Sequence, residues 1–323
     1  MREDALFDGI AASGPAPDIG EEAHVIDTHK VDTLIAAHRV VGREFTAGGT
    51  TSFVREQGDG EPVVLMHGLP MSSFLYRKVI PRLAECGFRA VAFDLPGLGL
   101  ADRPADFDYS IRGLSEFASA AIDALGIDRF HLVVHDAGGP IGFQVASEAP
   151  ERIMSLTILN TVLAVGHIPF PGEVYGRFTD RFRGPLTSPR LFRELMQRVG
   201  IDDMRAVSAE EIDVHRRLLL DADQGAAYLR IMRALRDKDV GPWEDVVDCR
   251  FAPYPVDIVW GAKDPILSLR RFGWPVLAAS HRPWLRVIRA KHYPQEDRPD
   301  EVSAFIVSNA QRVHEPVGTR ETA

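Results

Sequence analysis

Short, wholly apolar runs alternate along this chain with longer segments that are apolar on one face only. Apolar runs such as residues 62–68 and 130–136 are typical of strands buried on both faces of a parallel sheet. The longer segments, such as residues 72–87 and 110–126, carry the helical period and begin at serine caps. Residues 43–57 predict a hairpin before this alternation starts. The pattern therefore predicts an α/β fold with a mostly parallel, doubly wound sheet.

A helical insertion interrupts the alternation. Residues 163–250 carry helical patterns, including a capping box that starts at Ser208, and strand patterns return at 256–261 and 284–290. We expect this insertion to fold over the carboxyl edge of the sheet, where open α/β sheets bind ligands. The predicted domains are a core of residues 23–162 and 251–313, a helical cap of residues 163–250, and disordered tails of residues 1–22 and 314–323.

Composition and charge argue against several classes of protein. The 323 residues are 45 % hydrophobic and 26 % charged, which suffices for a sizeable core, and a formal net charge of -9 disfavours nucleic-acid binding. Two cysteines without C-x-x-C spacing support neither a disulfide framework nor a thiolate metal site. No apolar run approaches the length of about 20 residues that spans a bilayer. We expect a cytoplasmic protein without nucleic-acid or membrane partners, and the sequence leaves a homo-oligomer open.

Asp136 stands at the end of the apolar run FHLVVHD, where a carboxylate is unusual. Two glycines follow after one residue, and a helical pattern begins there, so the segment predicts a strand, a sharp turn and a helix. Taken alone, Asp136 could equally cap that helix. A carboxylate is already ionised at neutral pH and can displace a leaving group from a saturated carbon, whereas a serine must first lose its proton. Asp136 is therefore a candidate nucleophile that forms an alkyl-enzyme ester.

Four motifs occur in order, each at the end of a predicted strand. They are HGLP at 67–70, VVHDAGG at 133–139, VWGAKDP at 259–265 and RAKHYPQED at 289–297. With these motifs, residues 43–312 resemble the α/β-hydrolase fold, and most closely its aspartate-nucleophile branch of epoxide hydrolases and haloalkane dehalogenases. The resemblance implies that Asp136 is the nucleophile, that His292 is the general base, and that Asp264 orients this base.

The resemblance also implies the remaining parts of the site. Backbone N–H groups of Leu69 and Ala137 would bind the oxyanion. Some relatives place the acid one strand earlier, near Asn160, which carries no charge here. Asp264 precedes a proline and could serve only a turn, and His292 could be an ordinary loop histidine. Three further polar residues near the motifs are interpreted as structural: His67, Asp94 and His135.

The leaving group distinguishes two hydrolases. An epoxide oxygen leaves as an alkoxide and needs a proton donor such as tyrosine, whereas a halide needs only N–H donors. Tyr228 and Tyr175 are candidate donors in the cap. Dehalogenases commonly have a tryptophan beside the nucleophile, but Ala137 stands there, and Trp243 is a substrate-binding candidate only at the far end of the insertion.

We therefore expect an epoxide hydrolase that converts a small apolar substrate and water to a vicinal diol. A haloalkane dehalogenase is the alternative. A non-hydrolytic member of the fold, with cofactor-free oxygen chemistry or simple ligand binding, also stays open. The sequence contains no phosphate-binding glycine loop, metal-ligand cluster or flavin motif, so neither a cofactor nor a metal is expected.

Overall fold

Eight strands form a single, mostly parallel sheet in the computed structural model, which describes residues 26–163, 186–235 and 243–314. The strands are β1 (Gly42–Ala47), β2 (Thr50–Gln57), β3 (Glu61–Met66), β4 (Phe88–Phe93), β5 (Phe130–Asp136), β6 (Ile153–Thr161), β7 (Val256–Gly261) and β8 (Arg286–Ile288). Their order in the sheet is β1-β2-β4-β3-β5-β6-β7-β8. β2 pairs antiparallel with β1 and β4, and the other neighbours pair parallel. The predicted α/β fold is thereby confirmed.

Helices cover both faces of this sheet, and further helices form the insertion between β6 and β7. They are α1 (Thr28–Val40), α2 (Val79–Glu85), α3 (Ile111–Ala124), α4 (Gly138–Glu148), α5 (Pro189–Leu195), α6 (Ala209–Leu220), α7 (Ala226–Ala234), α8 (Glu244–Val247), α9 (Trp274–Ser280), α10 (Pro294–Asp297) and α11 (Pro299–Gln311). Leu132 and Val134 of β5 join the apolar cluster that contains α3 and α4, whereas Val133 joins the cluster that contains α2 and α11. Successive side chains of a strand point to opposite faces, which is why both faces of this strand carry buried apolar residues.

Three elements differ from the predicted pattern for local reasons. α1 was not predicted, because only Val31 and His38 of this helix are buried and it lacks an apolar stripe. The segment predicted as one helix at 72–87 divides into a short turn of 3-10 helix and α2. Pro81 lies in the first turn of α2, where its missing N–H is tolerated. β8 is shorter than predicted, and among the described residues it pairs only with β7.

The described residues between β6 and β7 form the helices α5 to α8. Ser208 forms the predicted capping box with Glu211 at the start of α6. α6 also packs beside α1, where Nζ of Lys30 lies 3.2 Å from Oε2 of Glu210. The predicted tails fall almost wholly outside the described residues, and so does a large part of the predicted cap, so the predicted domain boundaries stay predictions. None of the helices in the described ranges is long and apolar enough to cross a bilayer.

Candidate active site

Asp136 ends β5, and α4 begins two residues later, so the chain turns sharply at this position. The φ of Asp136 is 51°, a left-handed conformation that residues other than glycine seldom adopt. Thr161 supports the turn, because its Oγ1 donates to the Asp136 carbonyl at 2.6 Å. The N-cap of α4 is Ala137, and no side chain caps this helix. Asp136 is therefore not a helix cap, and backbone strain of this kind is typical of active sites.

The two oxygens of the Asp136 carboxylate have different surroundings. Oδ1 accepts the N–H of Leu69 at 2.7 Å, and the N–H of Ala137 also hydrogen-bonds the carboxylate. Oδ2 lies 3.4 Å from Nε2 of His292. Gly68 permits this close approach, since a Cβ at Gly68 would lie 2.4 Å from Oδ1. Oδ1 is thus held by a backbone donor, and Oδ2 is the oxygen that faces His292.

His292 lies between two carboxylates. Its Nδ1 donates to Oδ2 of Asp264 at 2.8 Å, and its Nε2 faces Asp136. Burial disfavours a charged imidazole, but the negative charge of Asp264, followed by the hydrogen bond to Asp136, raises the pKa of His292 to about 10. Burial also disfavours the Asp136 carboxylate, yet the bond and charge of His292 hold the pKa of this carboxyl below its ordinary value. Both shifts favour the charged forms, an imidazolium between two carboxylates.

Asp264 uses one oxygen for its own turn and the other for His292. Oδ1 accepts the N–H groups of Ile266 and Leu267 at 2.8 Å and 2.9 Å. Oδ2 accepts the N–H of His292. The turn and the orienting contact, which the sequence presented as alternatives, are therefore made by the same side chain.

Asn160 and His135 are two supporting residues whose contacts the sequence did not reveal. Asn160 lies near the end of β6, and its Nδ2 donates to Oδ2 of Asp264 at 2.7 Å. Its Oδ1 accepts the N–H of Gly261 at 2.9 Å, so it fixes the end of β7 beside Asp264. Nε2 of His135 donates to the carbonyl of His292 at 2.8 Å. The available cue was position, because both residues stand at strand ends beside the motifs.

Two tyrosine hydroxyls near Asp136 have no hydrogen-bond partner among the described residues. Tyr228 of α7 is half-buried, and burial followed by the charge of Asp136 raises its pKa. Tyr293 directly follows His292, its ring centroid lies 4.8 Å from that of His292, and burial and the charge of Asp136 raise its pKa as well. The other described tyrosines donate to backbone carbonyls: Tyr76 to Met66, Tyr109 to Pro104 and Tyr254 to Val246. Tyr293 was missed, although its place directly after the base was a cue.

The remaining predicted residues lie apart from these groups or make structural contacts. Trp243 donates from Nε1 to Oε1 of Gln144 at 3.2 Å, and its ring packs 6.2 Å from that of Phe143 on α4. Tyr175 lies outside the described residues. His67 and Asp94 accept backbone N–H groups of nearby loops, those of Leu95, Ser73 and Leu100. In the described part of the chain, no three His, Cys, Asp or Glu side chains are grouped as metal ligands.

Known proteins are similar to this chain in sequence and in fold. Residues 61–299 match the family described as the alpha/beta hydrolase fold. Haloalkane dehalogenase 2 of Mycobacterium tuberculosis is 28 % identical over 263 residues, which cover 78 % of this chain and 88 % of that protein. An uncharacterized hydrolase of Saccharomyces cerevisiae is 36 % identical over 258 residues, covering 68 % and 80 %. The solved structure of the epoxide hydrolase VrEH1 from Vigna radiata matches with a TM-score of 0.64 at 20 % identity, covering 84 % of this chain and 98 % of that one.

Proposed function

Because the chain belongs to the alpha/beta hydrolase fold family, we propose that it is a hydrolase in which Asp136 attacks a saturated carbon, and that its substrates are epoxides. The observation that carries the epoxide assignment is the Tyr228 hydroxyl. It has no hydrogen-bond partner among the described residues, and the charge of Asp136 contributes to its raised pKa. Leu69 and Tyr228 also pack against the main apolar cluster, so an apolar substrate fits this site.

In the first step, Oδ2 of Asp136 forms a bond to an epoxide carbon, and the carbon–oxygen bond of the ring breaks. The departing oxygen takes a proton from Tyr228, which offsets the poor leaving ability of an alkoxide. The Asp136 charge helps to raise the pKa of Tyr228. Ester formation removes that charge, so the phenol becomes a stronger acid as the alkoxide develops.

In the second step, water hydrolyses the ester. Loss of the Asp136 charge lowers the pKa of His292, so the imidazolium can return a proton to the Tyr228 phenolate and become a neutral base. The imidazole then removes a proton from water, whose oxygen attacks the ester carbonyl. The N–H groups of Leu69 and Ala137 stabilise the charge that develops on Oδ1. The departing diol oxygen takes the proton of the new carboxylic acid, and the starting protonation is restored.

Dehalogenation is the second candidate, because the similarity to haloalkane dehalogenase 2 of M. tuberculosis supports it. The same nucleophile and base would serve, but a halide needs N–H donors beside Asp136. The indole N–H groups of Trp243 and Trp260 donate to Gln144 and to the carbonyl of Leu267 instead. The contacts of the tyrosines therefore favour the epoxide.

Tyr228→Phe should lower epoxide turnover by about 10²-fold, the usual effect of losing a general acid. Alkylation by a haloalkane should change by less than about twofold, because a halide leaves without a proton. Both rates are measured on matched series of epoxides and haloalkanes. Tyr254→Phe is the matched control, since its hydroxyl donates to the Val246 carbonyl away from the site.

The double variant Tyr228→Phe with Tyr293→Phe removes both unpartnered hydroxyls described near Asp136. If this variant kept the natural rate on epoxides, Tyr228 and Tyr293 would both be excluded as the proton donor. If the natural protein turned over haloalkanes and no epoxide, dehalogenation would replace the proposed reaction.

The two steps should respond differently to pH. The pKa of Asp136 lies below its ordinary value, so the nucleophile is ionised at neutral pH. The alkylation rate should therefore be constant from about pH 5 to about pH 9 and fall only at a pH below the ordinary pKa of an aspartate. Ester breakdown needs neutral His292, whose pKa in the ester lies below its resting value of about 10. Breakdown should therefore rise with pH and become constant above this lowered pKa. Rapid-quench measurements separate the steps, and a breakdown rate independent of pH would contradict His292 as the base.

A further inference from the structure

The insertion forms backbone hydrogen bonds with the loop that carries the base, residues 289–293, which we term the base loop. The carbonyl of Val199 accepts the N–H of His292 at 3.4 Å, and the carbonyl of Gly200 accepts the N–H of Tyr293 at 2.9 Å. Gly200 also lies against the ring of Tyr293, since a Cβ there would approach this ring to 2.6 Å. The position of the base therefore depends on the insertion as well as on the core.

Asp297 joins the same two segments through its side chain. Its Oδ1 accepts the N–H groups of Asp202 and Asp203 in the insertion, at 2.8 Å and 2.9 Å. Its Oδ2 accepts the N–H of Lys291 in the base loop at 3.0 Å. The Asp297 residue is 3 % exposed, and burial raises the pKa of its carboxyl. A buried carboxylate is costly unless it is hydrogen-bonded, and here backbone groups of two separate segments supply the bonds.

We propose that Asp297 is a positioning residue for His292, which makes the placement of the base depend on the docking of residues 202–203. The expectation that Asp297 affects the rate of ester breakdown rests on the proposed function. Lys291 directly precedes His292, so a shift of this N–H moves the imidazole relative to Asp264 and Asp136. Displacement of a catalytic group by about 1 Å can cost about 10²-fold in rate.

Asp297→Asn in the full chain tests this role. The amide keeps the side-chain volume but replaces one acceptor oxygen with a donor that faces a backbone N–H, so the link between the two segments is broken. Ester breakdown should slow by about tenfold or more, alkylation by epoxides should stay within about twofold, and the ester should accumulate. The pKa of His292, followed by NMR of the imidazole, should fall from about 10 towards its ordinary value.

Two variants control for charge and for general loosening. Asp300→Asn removes an exposed carboxylate that pairs with Arg82. Glu211→Gln weakens another link between insertion and core, the ion pair with Arg77 at 2.8 Å, and does not touch the base loop. Both variants should keep the natural ratio of the alkylation rate to the rate of ester breakdown, and His292 should titrate as in the natural protein.

Three outcomes would overturn the proposal: an unchanged ester lifetime in Asp297→Asn, equal slowing of both steps with His292 titrating as before, or the same change of ratio in Glu211→Gln. If Asp297→Asn does not fold, Asp297→Glu keeps both oxygens on a longer side chain and should show a smaller change in the same ratio and in the titration. Failure of the proposed function is recognised separately, because no variant would then form an ester with an epoxide, whereas the titration of His292 would still report on Asp297.

Discussion

Replacing Asp136 with alanine should reduce turnover by at least about 10⁴-fold and leave the fold intact. The methyl group can neither form the bond to carbon nor accept the N–H groups of Leu69 and Ala137, which bond the carboxylate of Asp136. Alanine adopts a φ of 51° less readily than aspartate, so we expect a loss of about 1 kcal/mol in the free energy of unfolding. Steady-state kinetics and a thermal melt measure the two effects.

Asp59→Ala is a matched control, because Asp59 is exposed in a turn between β2 and β3. It should keep the natural rate. Turnover by Asp136→Ala above about 1 % of the natural rate would show that another group attacks the substrate. Loss of the folded state in Asp136→Ala would leave Asp136→Asn as the informative variant, since asparagine tolerates the left-handed conformation.

Replacing His292 with glutamine should allow the first step and block the second, so that the ester persists. Oδ2 of Asp136 needs no base in order to attack, whereas water needs one. Intact-protein mass after exposure to epoxides should increase by one whole epoxide, and peptide mapping should locate the adduct at Asp136. A haloalkane would add its own mass less the hydrogen halide.

The control for trapping is the double variant Asp136→Ala with His292→Gln, which should form no adduct. His29→Gln changes an exposed histidine of α1 and should turn over normally. Adducts from haloalkanes alone would keep the nucleophile and reverse the choice of substrate. Normal turnover by His292→Gln would exclude this histidine as the base, and the absence of any adduct would favour a non-hydrolytic role.

The sequence predicted the fold and the groups that meet in the candidate site because these depend on local signals. The apolar run before Asp136 marks a strand buried on both faces, and the glycines after it mark the turn. Parallel strands end at the same edge, so the motifs that follow β3, β5 and β7 had to lie close together. The structure does bring Asp136, His292 and Asp264 together, while their roles stay predictions.

The supporting contacts could not be predicted, because each one joins segments that are distant along the chain. The amide of Asn160 meets Asp264 across 104 positions, and the carboxylate of Asp297 meets Asp202 across 95. No periodic pattern specifies such a pair. The same limit applies to α1, which is held by a few contacts rather than by an apolar stripe. Tyr175 lies outside the described residues, so its predicted role stays a prediction.

The unequal surroundings of the two Asp136 oxygens have a consequence for the origin of atoms in the product. Oδ1 is held by the N–H of Leu69, whereas Oδ2 faces His292 and is the oxygen proposed to form the bond to carbon. Under the proposed chemistry, the oxygen added to the substrate therefore comes from the protein, and water restores the carboxylate afterwards. In every cycle, one carboxylate oxygen of Asp136 would thus leave with the product, and an oxygen atom from water would replace it.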